Sequence, residues 1–327
     1  LSFATAQWDQ LDARKAIYGF VDELNELGEG FNVSKDFVLK SCLALCDFDD
    51  ISFKVDNFNR TNMMAIQREW EAITKAIRSA VLLVASFGFN RENITSNNLF
   101  IPIAYYLKQI GLPDNFETSS STLDERIAIK KWFTRSLLKK VFSFMPDGVL
   151  KPLREIIRTH GADGKFPLQE ITERFKGTNR SIRFTEDEIS NLLWAKYGQG
   201  VTPVIMSILY PWADMRNHFH IDHLYPKSKF TRKQLEKRGL TEEQIEFARK
   251  NYNYIGNLQL LEAIPNMEKG SVDFDQWLTT AVPAENLSDY KEKHLIPRHI
   301  TPTYENFESF IAAREKLIEA KLCKELM

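Results

Sequence analysis

Cysteine is scarce in this sequence, since Cys42, Cys46 and Cys323 are the only three among 327 residues. A sparse, odd set of thiols does not build a disulfide framework, so a reducing compartment such as the cytoplasm is expected. Cys42 and Cys46 are four residues apart, which places them on one face of a helix. A metal site would need further ligands nearby, and the sequence offers none there. Two core thiols are therefore favoured.

Long apolar runs are also missing. The longest, Ala80 to Phe87 and Val204 to Leu209, are too short to span a bilayer and are typical of buried helices. No sign of charge dominates, because 43 Lys and Arg are balanced by 44 Asp and Glu. The chain is not a polycation, and any contact with nucleic acid must come from local basic patches.

Neither an initiator Met nor a signal-peptide pattern is present at the start of the chain, which begins at Leu1. We therefore expect a fragment of a longer, cytoplasmic protein.

Helical periodicity dominates the pattern and predicts a fold that is mainly α. Three domains are expected: a helical bundle over 1–112, a helical connecting region over 113–210, and a last domain over 211–327. The polar stretch Pro113 to Ser121 is the predicted hinge. Capping boxes are predicted at Thr122, Thr185 and Thr241, each followed three residues later by Glu or Gln.

The pattern changes in the last domain. Two short stretches favour strands, His218 to Tyr225 and Tyr254 to Leu261. Thr231 to Lys250 between them and Tyr304 to Lys324 at the end of the chain are predicted to be helical. A small two-stranded insert in a helical domain is therefore expected.

Several residues in and after this insert have side chains suited to phosphodiester hydrolysis. Three of the six histidines lie in one stretch, which includes Asp222-His223, and Asn257, Asn266 and Lys269 follow downstream. An imidazole with a pKa near neutrality can take a proton from water. Carboxylate and amide oxygens suit Mg²⁺, and a lysine can hold a phosphate.

Strand geometry sets a condition on this interpretation. Adjacent strand residues point to opposite faces, so Asp222 and His223 share a site only if the strand bends or ends there, which Tyr225-Pro226 favours. The alternative is that both are a surface pair on a structural hairpin. His220 lies two residues before Asp222 and is expected on the same face, as an extra ligand, a phosphate contact or a structural residue.

A basic cluster follows the Asp-His pair directly. It consists of Lys227, Lys229, Arg232, Lys233, Lys237 and Arg238, with only Glu236 opposing it in that stretch. Charge runs are usually solvated faces, but this one adjoins the presumed site, which favours phosphate contact. No aromatic-rich loop lies near Asp222 in the sequence, so reading of bases is not expected.

The three ordered blocks around Asp222-His223, Asn257 and Asn266 resemble the ββα-metal fold of His-Asn-His (HNH) nucleases. The resemblance implies that Asp222 and Asn266 bind a divalent metal, Mg²⁺ or Mn²⁺, and that His223 is the general base. It also implies that Asn257 ties the loop after His223 together, without touching metal, and that Lys269 is the basic residue that follows the last ligand. The spacing from Asn257 to Asn266 and Lys269 is similar to that in the HNH domain of CRISPR effector nucleases.

Beyond these blocks, the chain resembles the C-terminal part of GmrSD-type restriction proteins, on the stretches Lys40-Ser41-Cys42-Leu43, Phe53-Lys54-Val55 and Ile101-Pro102-Ile103-Ala104-Tyr105-Tyr106. The resemblance implies an endonuclease acting on foreign or modified DNA in bacterial defence. It also implies a further partner, an N-terminal ParB- and sulfiredoxin-like nucleotide-handling domain, whose Asp-Gly-x-x-Arg signature this chain lacks. The alternative is a helical interaction module with a degenerate HNH block.

Overall fold

The computed structural model describes Trp8, residues 12–213 and residues 219–327. The contacts within the chain divide it into two compact units, Leu1–Arg183 (unit 1) and Phe184–Met327 (unit 2). Both are mainly helical, as the periodicity predicted, and two strands are found in the described part of the chain.

Unit 1 is built from helices around one apolar segment. Its described helices are α1 Ala13–Glu26, α2 Lys35–Leu45, α3 Arg60–Ser86, α4 Phe100–Gln109, α5 Leu123–Leu138, α6 Asp147–His160 and α7 Leu168–Arg174. Every residue of α4 from Phe100 to Leu107 is buried, and α2, α3 and α6 pack against it. A helix that is apolar on all sides can only be central, and α4 is the core of this unit.

The capping box predicted at Thr122 is wrong. Thr122 makes no cap bond to α5, because its hydroxyl donates to the carbonyl oxygens of Phe116 and Ser119. The Glu125 carboxylate instead accepts from the backbone N–H of Phe166. A preceding turn has therefore taken the Thr122 hydroxyl, and a residue 41 positions away has taken the Glu125 carboxylate.

Unit 2 combines helices with a two-stranded sheet. Its described elements are α8 Glu186–Leu192, α9 Val201–Leu209, β1 Phe219–His223, α10 Arg232–Lys237, α11 Glu242–Asn251, β2 Leu258–Glu262, α12 Ala263–Lys269, α13 Phe274–Ala281, α14 Leu287–Lys293 and α15 Phe307–Leu326. The strands are antiparallel, with Asp222 opposite Gln259 and His223 opposite Leu258. Helix α12 packs on both strands.

An aromatic core supports this sheet. The ring of Tyr225, just after β1, contacts the rings of Phe274, Tyr304, Phe307 and Phe310 at centroid distances of 5.1–5.7 Å. Edge-to-face pairs of this kind add to the stabilisation from area burial. The end of β1 is thereby anchored to the C-terminal helix.

The local predictions for unit 2 have mixed outcomes. The capping boxes at Thr185 and Thr241 are confirmed. The predicted helix over 231–250 is two helices, because Gly239 adopts a positive φ of 79° between them. The second strand begins at Leu258 rather than Tyr254. His218, where the first strand was predicted to begin, lies outside the described residues.

The division after Arg183 differs from the divisions expected at 112 and 210. Helices α4 and α6 pack together across the polar stretch 113–121, so that stretch lies inside unit 1. Helices α8 and α9 pack on α15, which places 184–210 in the same unit as the C-terminus. These helix contacts join segments far apart in sequence, and no local pattern predicts them.

None of the helices in the described parts of the chain is long and apolar enough to cross a membrane.

Candidate functional site: the β1–β2–α12 region

Asp222 is held near the end of β1. Its Oδ2 accepts from Gln259 Nε2 at 3.0 Å, from the residue directly opposite on β2. The same oxygen lies 2.9 Å from Lys269 Nζ, and that ammonium also donates to the His223 carbonyl oxygen at 2.6 Å. The Lys269 side chain is 0% exposed. Burial lowers the pKa of Lys269, and the Asp222 carboxylate opposes this effect.

β1 ends at His223, and aromatic rings enclose the His223 side chain. Its ring lies 4.9 Å from that of Tyr197 and 6.3 Å from that of Tyr252, and the residue is 7% exposed. His223 Nε2 lies 3.0 Å from Asn253 Oδ1. Since a carbonyl-type oxygen only accepts, Nε2 carries the proton in this arrangement, and Nδ1 is left as the basic nitrogen.

The pKa of His223 is lowered, chiefly by burial, and the bond to Asn253 works against that shift. Asp222 also raises the pKa, while Lys227 and Lys269 lower it. The imidazole is therefore mainly neutral near pH 7, which is the form able to accept a proton.

The Asn257 side chain fixes the backbone just after His223 by hydrogen bonds. Its Oδ1 accepts from the Tyr225 N–H at 3.0 Å, and its Nδ2 donates to the carbonyl oxygens of Tyr225 at 3.1 Å and Tyr252 at 2.8 Å. The Asn257 carbonyl also accepts from the Leu224 N–H at 2.8 Å. The expected bond from this side chain to the backbone after His223 is thus confirmed.

Arg314 of α15 supports the turn that contains Asn257, and the sequence analysis missed it. This wholly buried guanidinium donates to five oxygens: the carbonyls of Ile255, Gly256, His294 and Leu295 and the hydroxyl of Tyr210. A signal was present, since Arg314 follows the apolar positions Phe307, Phe310 and Ile311 on the buried face of α15. A charged residue on such a face indicates a buried polar network.

Gly256 permits the close approach of this turn to α15. A Cβ on Gly256 would lie 3.0 Å from Ile311 Cγ2 and 3.1 Å from Glu315 Oε1. Both contacts are tighter than ordinary packing, so a larger residue would push the Asn257 turn away from the helix.

Asn266 and Asp222 are the predicted metal ligands. Asn266 is half-buried on α12, and its side chain makes no hydrogen bond within 12–213 and 219–327. Both described contacts of Asp222 use Oδ2, which leaves Oδ1 available. Among the residues that the structure describes, no three His, Cys, Asp or Glu side chains form a metal-binding group. Carboxylate and amide oxygens are ligands that Mg²⁺ accepts, and with only two protein ligands the remaining positions would be filled by water and phosphate.

The predicted phosphate-binding residues differ in their surroundings. His220, Lys227 and Lys233 are exposed, and Lys229 is half-buried. The charge of Lys227 reaches His223, whose pKa it lowers. Arg232, in contrast, makes two hydrogen bonds with Glu242 and lies 3.6 Å from Glu236. Its charge is largely neutralised by these carboxylates, so it is a weaker phosphate ligand than the sequence suggested.

Compared with known proteins, the chain matches no protein-family model and no curated protein.

Proposed function

We propose that unit 2 contains an HNH-type nuclease site, a ββα-metal arrangement that hydrolyses phosphodiester bonds in DNA with a divalent metal ion. The observation that carries the proposal is the convergence of three separated blocks on the end of β1. Lys269 binds both Asp222 and the His223 backbone, and Asn257 binds the backbone of Tyr225. A purely structural hairpin requires none of these contacts.

In this proposal His223 is the general base. Its neutral imidazole accepts the proton of the attacking water at Nδ1, while the bond from Nε2 to Asn253 fixes the tautomer and the direction of the ring. Asn257 keeps the backbone after His223 in place and so sets the position of the ring.

Asp222 and Asn266 are the residues that would hold the metal, as Mg²⁺ or Mn²⁺. The bound ion would neutralise charge on the phosphate and on the leaving oxygen. Lys269 acts here as a positioning residue, which changes its predicted role. Its ammonium is buried against Asp222 and the His223 carbonyl, where it orients the carboxylate rather than reaching a phosphate.

The exposed cations supply contacts with the DNA backbone. Lys227, Lys233 and His220 are the accessible candidates, with Lys229 partly so, and such contacts hold phosphates without reading sequence. From the resemblance to GmrSD-type proteins, we propose that the activity belongs to bacterial restriction in the cytoplasm. There a separate nucleotide-handling domain of the same protein would be the partner that controls target choice.

The alternative function is an interaction module whose HNH block is only structural. The low exposure of His223 favours it, because a base closed off by Tyr197 and Tyr252 must be uncovered before water reaches it. The two functions differ in their response to metal and to loss of the imidazole.

Plasmid cleavage by the whole chain tests the proposal, measured with Mg²⁺, with Mn²⁺ and with chelator. We expect metal-dependent nicking, which His223→Ala lowers about 10²–10⁴-fold. His220→Ala is the matched control on the same strand and should have a smaller effect. A preparation in which wild type and His223→Ala cut at the same rate, or in which neither cuts with metal, would leave the interaction module as the function.

A further inference from the structure

The surface beside His223 contains a group of aromatic and basic side chains that the nuclease proposal does not use. Trp194, Lys196 and Tyr197 follow α8, and Tyr254 precedes β2; these four are called the aromatic–basic platform. The Tyr197 ring lies 4.9 Å from His223, so the platform adjoins the candidate base. Sequence reasoning missed it because its two segments are far apart in the chain.

The backbone of the platform is fixed on both sides. The Ile255 N–H donates to the Ala195 carbonyl at 2.8 Å, and the Tyr197 N–H donates to the Asn253 carbonyl at 2.9 Å. Lys196 and Tyr254 form an antiparallel bridge between these bonds. The Thr202 hydroxyl also donates to the Lys196 carbonyl. The rings therefore stand on a rigid base, and little conformational freedom is lost when a ligand binds to them.

The platform exposes flat rings next to a cation. Trp194 is 62% exposed and Tyr197 is 44% exposed. The Trp194 ring meets the edge of Tyr254 at 5.6 Å and 83°, and Lys196 Nζ lies 4.7 Å from the Tyr254 centroid. Tryptophan is usually highly buried, so an indole exposed to this extent against the half-buried Tyr254 ring, three residues before the exposed Tyr197, indicates a binding surface.

The chemistry of these groups matches one ligand. Exposed aromatic faces stack on nucleobases, and nearby cations hold the phosphates between them. Exposed Lys227, four residues after His223 in the chain, supplies a second cation. Bases in an intact duplex are stacked on each other, so only an unpaired base offers its face to a protein ring.

We infer that the aromatic–basic platform stacks an unpaired nucleobase of a DNA strand whose phosphate lies beside His223. The inference rests on the proposed nuclease function and adds a substrate class to it. DNA that is single-stranded, or has a base displaced from the duplex, binds here in preference to intact duplex. Tyr197 then has two roles, since one part of its ring covers His223 and the exposed part receives the base.

Binding in chelator, where no metal-dependent cleavage occurs, tests the inference. Fluorescence anisotropy is measured for the whole chain with a short single-stranded DNA and with the duplex of the same length. Wild type should prefer the single strand, and Trp194→Ala should weaken single-strand binding about 5- to 150-fold, the effect of losing one stacked base. Trp194→Phe retains a flat ring and should keep most of the affinity.

Two further measurements make the result specific. Single-stranded DNA should quench tryptophan fluorescence in wild type and much less in Trp194→Ala. Phe144→Ala removes an exposed aromatic ring of unit 1 and should leave both affinities unchanged.

The outcomes separate this inference from the nuclease proposal. Loss of single-strand binding in Trp194→Ala supports the platform even if the plasmid is never cut. Equal single-strand affinities of wild type and Trp194→Ala, equal losses for single strand and duplex, or no binding of either DNA by wild type would overturn the inference. Metal-dependent plasmid cleavage tests the nuclease proposal independently of all these binding results.

Discussion

The two units differ in the polar side chains that they bury. The buried polar residues described in unit 1 are all neutral: Ser41, Thr74, Asn93, Thr122, Thr134, Ser136 and Thr172. Those described in unit 2 include two cations and two imidazoles: Lys269, Arg314, His223 and His294, together with Thr202, Ser207, Asn257 and Gln259. In the described part of unit 1, the helices pack without a charged residue among the buried side chains.

Buried charge is costly, so its presence calls for a reason in unit 2. A buried cation must recover its lost hydration from hydrogen bonds or an ion pair. Lys269 does so through Asp222 and the His223 carbonyl, and Arg314 does so through five oxygens around the Asn257 turn. Both sets of contacts act on residues of the candidate site. The difference between the units indicates that unit 2 uses buried hydrogen bonds and an ion pair to fix the positions of the candidate-site residues.

The largest expected effect concerns Arg314. Arg314→Met keeps an unbranched side chain but leaves the carbonyls of Ile255 and Gly256 and three other oxygens without their donor. We expect the free energy of unfolding to fall by about 3–5 kcal/mol, measured by urea denaturation. Thr134→Val in unit 1 removes one hydroxyl, which donates to the carbonyls of Lys130 and Lys131, and should cost about 1 kcal/mol. Similar losses in the two variants would break the comparison between the units.

A smaller effect is expected when a buried amide is removed from each unit. Asn257→Ala loses three side-chain bonds to the backbone and should lower the free energy of unfolding by about 1–3 kcal/mol. It should also lower plasmid cleavage, because the chain after His223 is no longer tied.

Asn93→Ala is the matched change in unit 1, where the side chain accepts one bond, from the Asn90 N–H. It should cost less stability and leave cleavage at the wild-type rate. If Asn257→Ala lost stability but kept full cleavage, the positioning role of Asn257 would be wrong.

The smallest expected effect is a pH dependence carried by His294. Burial lowers the pKa of His294 from 6.5 to about 3, with Arg314 and Lys293 adding to the shift. The unfolded chain takes up this proton below about pH 6.5, whereas the folded chain does not until about pH 3. The free energy of unfolding therefore keeps its full value above about pH 6.5. It decreases as the pH falls from about 6.5 towards 3, by at most about 1.4 kcal/mol per pH unit.

His294→Phe should flatten that slope. Phenylalanine keeps a flat ring against Tyr290, whose centroid lies 4.1 Å from that of His294, and it removes the buried Nδ1, which has no hydrogen-bond partner within the described residues. Urea denaturation between about pH 6 and about pH 5 measures the change. An unaltered slope in the variant would show that another group carries the dependence.

Local sequence patterns predicted part of this structure. The buried helix that contains Val204 to Leu209, the capping boxes at Thr185 and Thr241, and the presence of two short strands depend on nearby residues or on strand alternation. The box at Thr122 failed because its hydroxyl and the Glu125 carboxylate bind residues elsewhere in unit 1. Local propensity is a weak guide wherever tertiary contacts compete for the same group.

The sequence by itself determined the helical class of this protein and the order of the residues with the chemistry, from Asp222-His223 to Asn257, Asn266 and Lys269. Periodicity and residue type carry that information, because both act over a few neighbouring positions. Only the tertiary structure decided that Lys269 is buried against Asp222, that Arg314 holds the Asn257 turn, and that the Tyr197 ring packs on His223. Each of these contacts joins residues separated by many positions. Their formation depends on how whole helices pack, which no local pattern records.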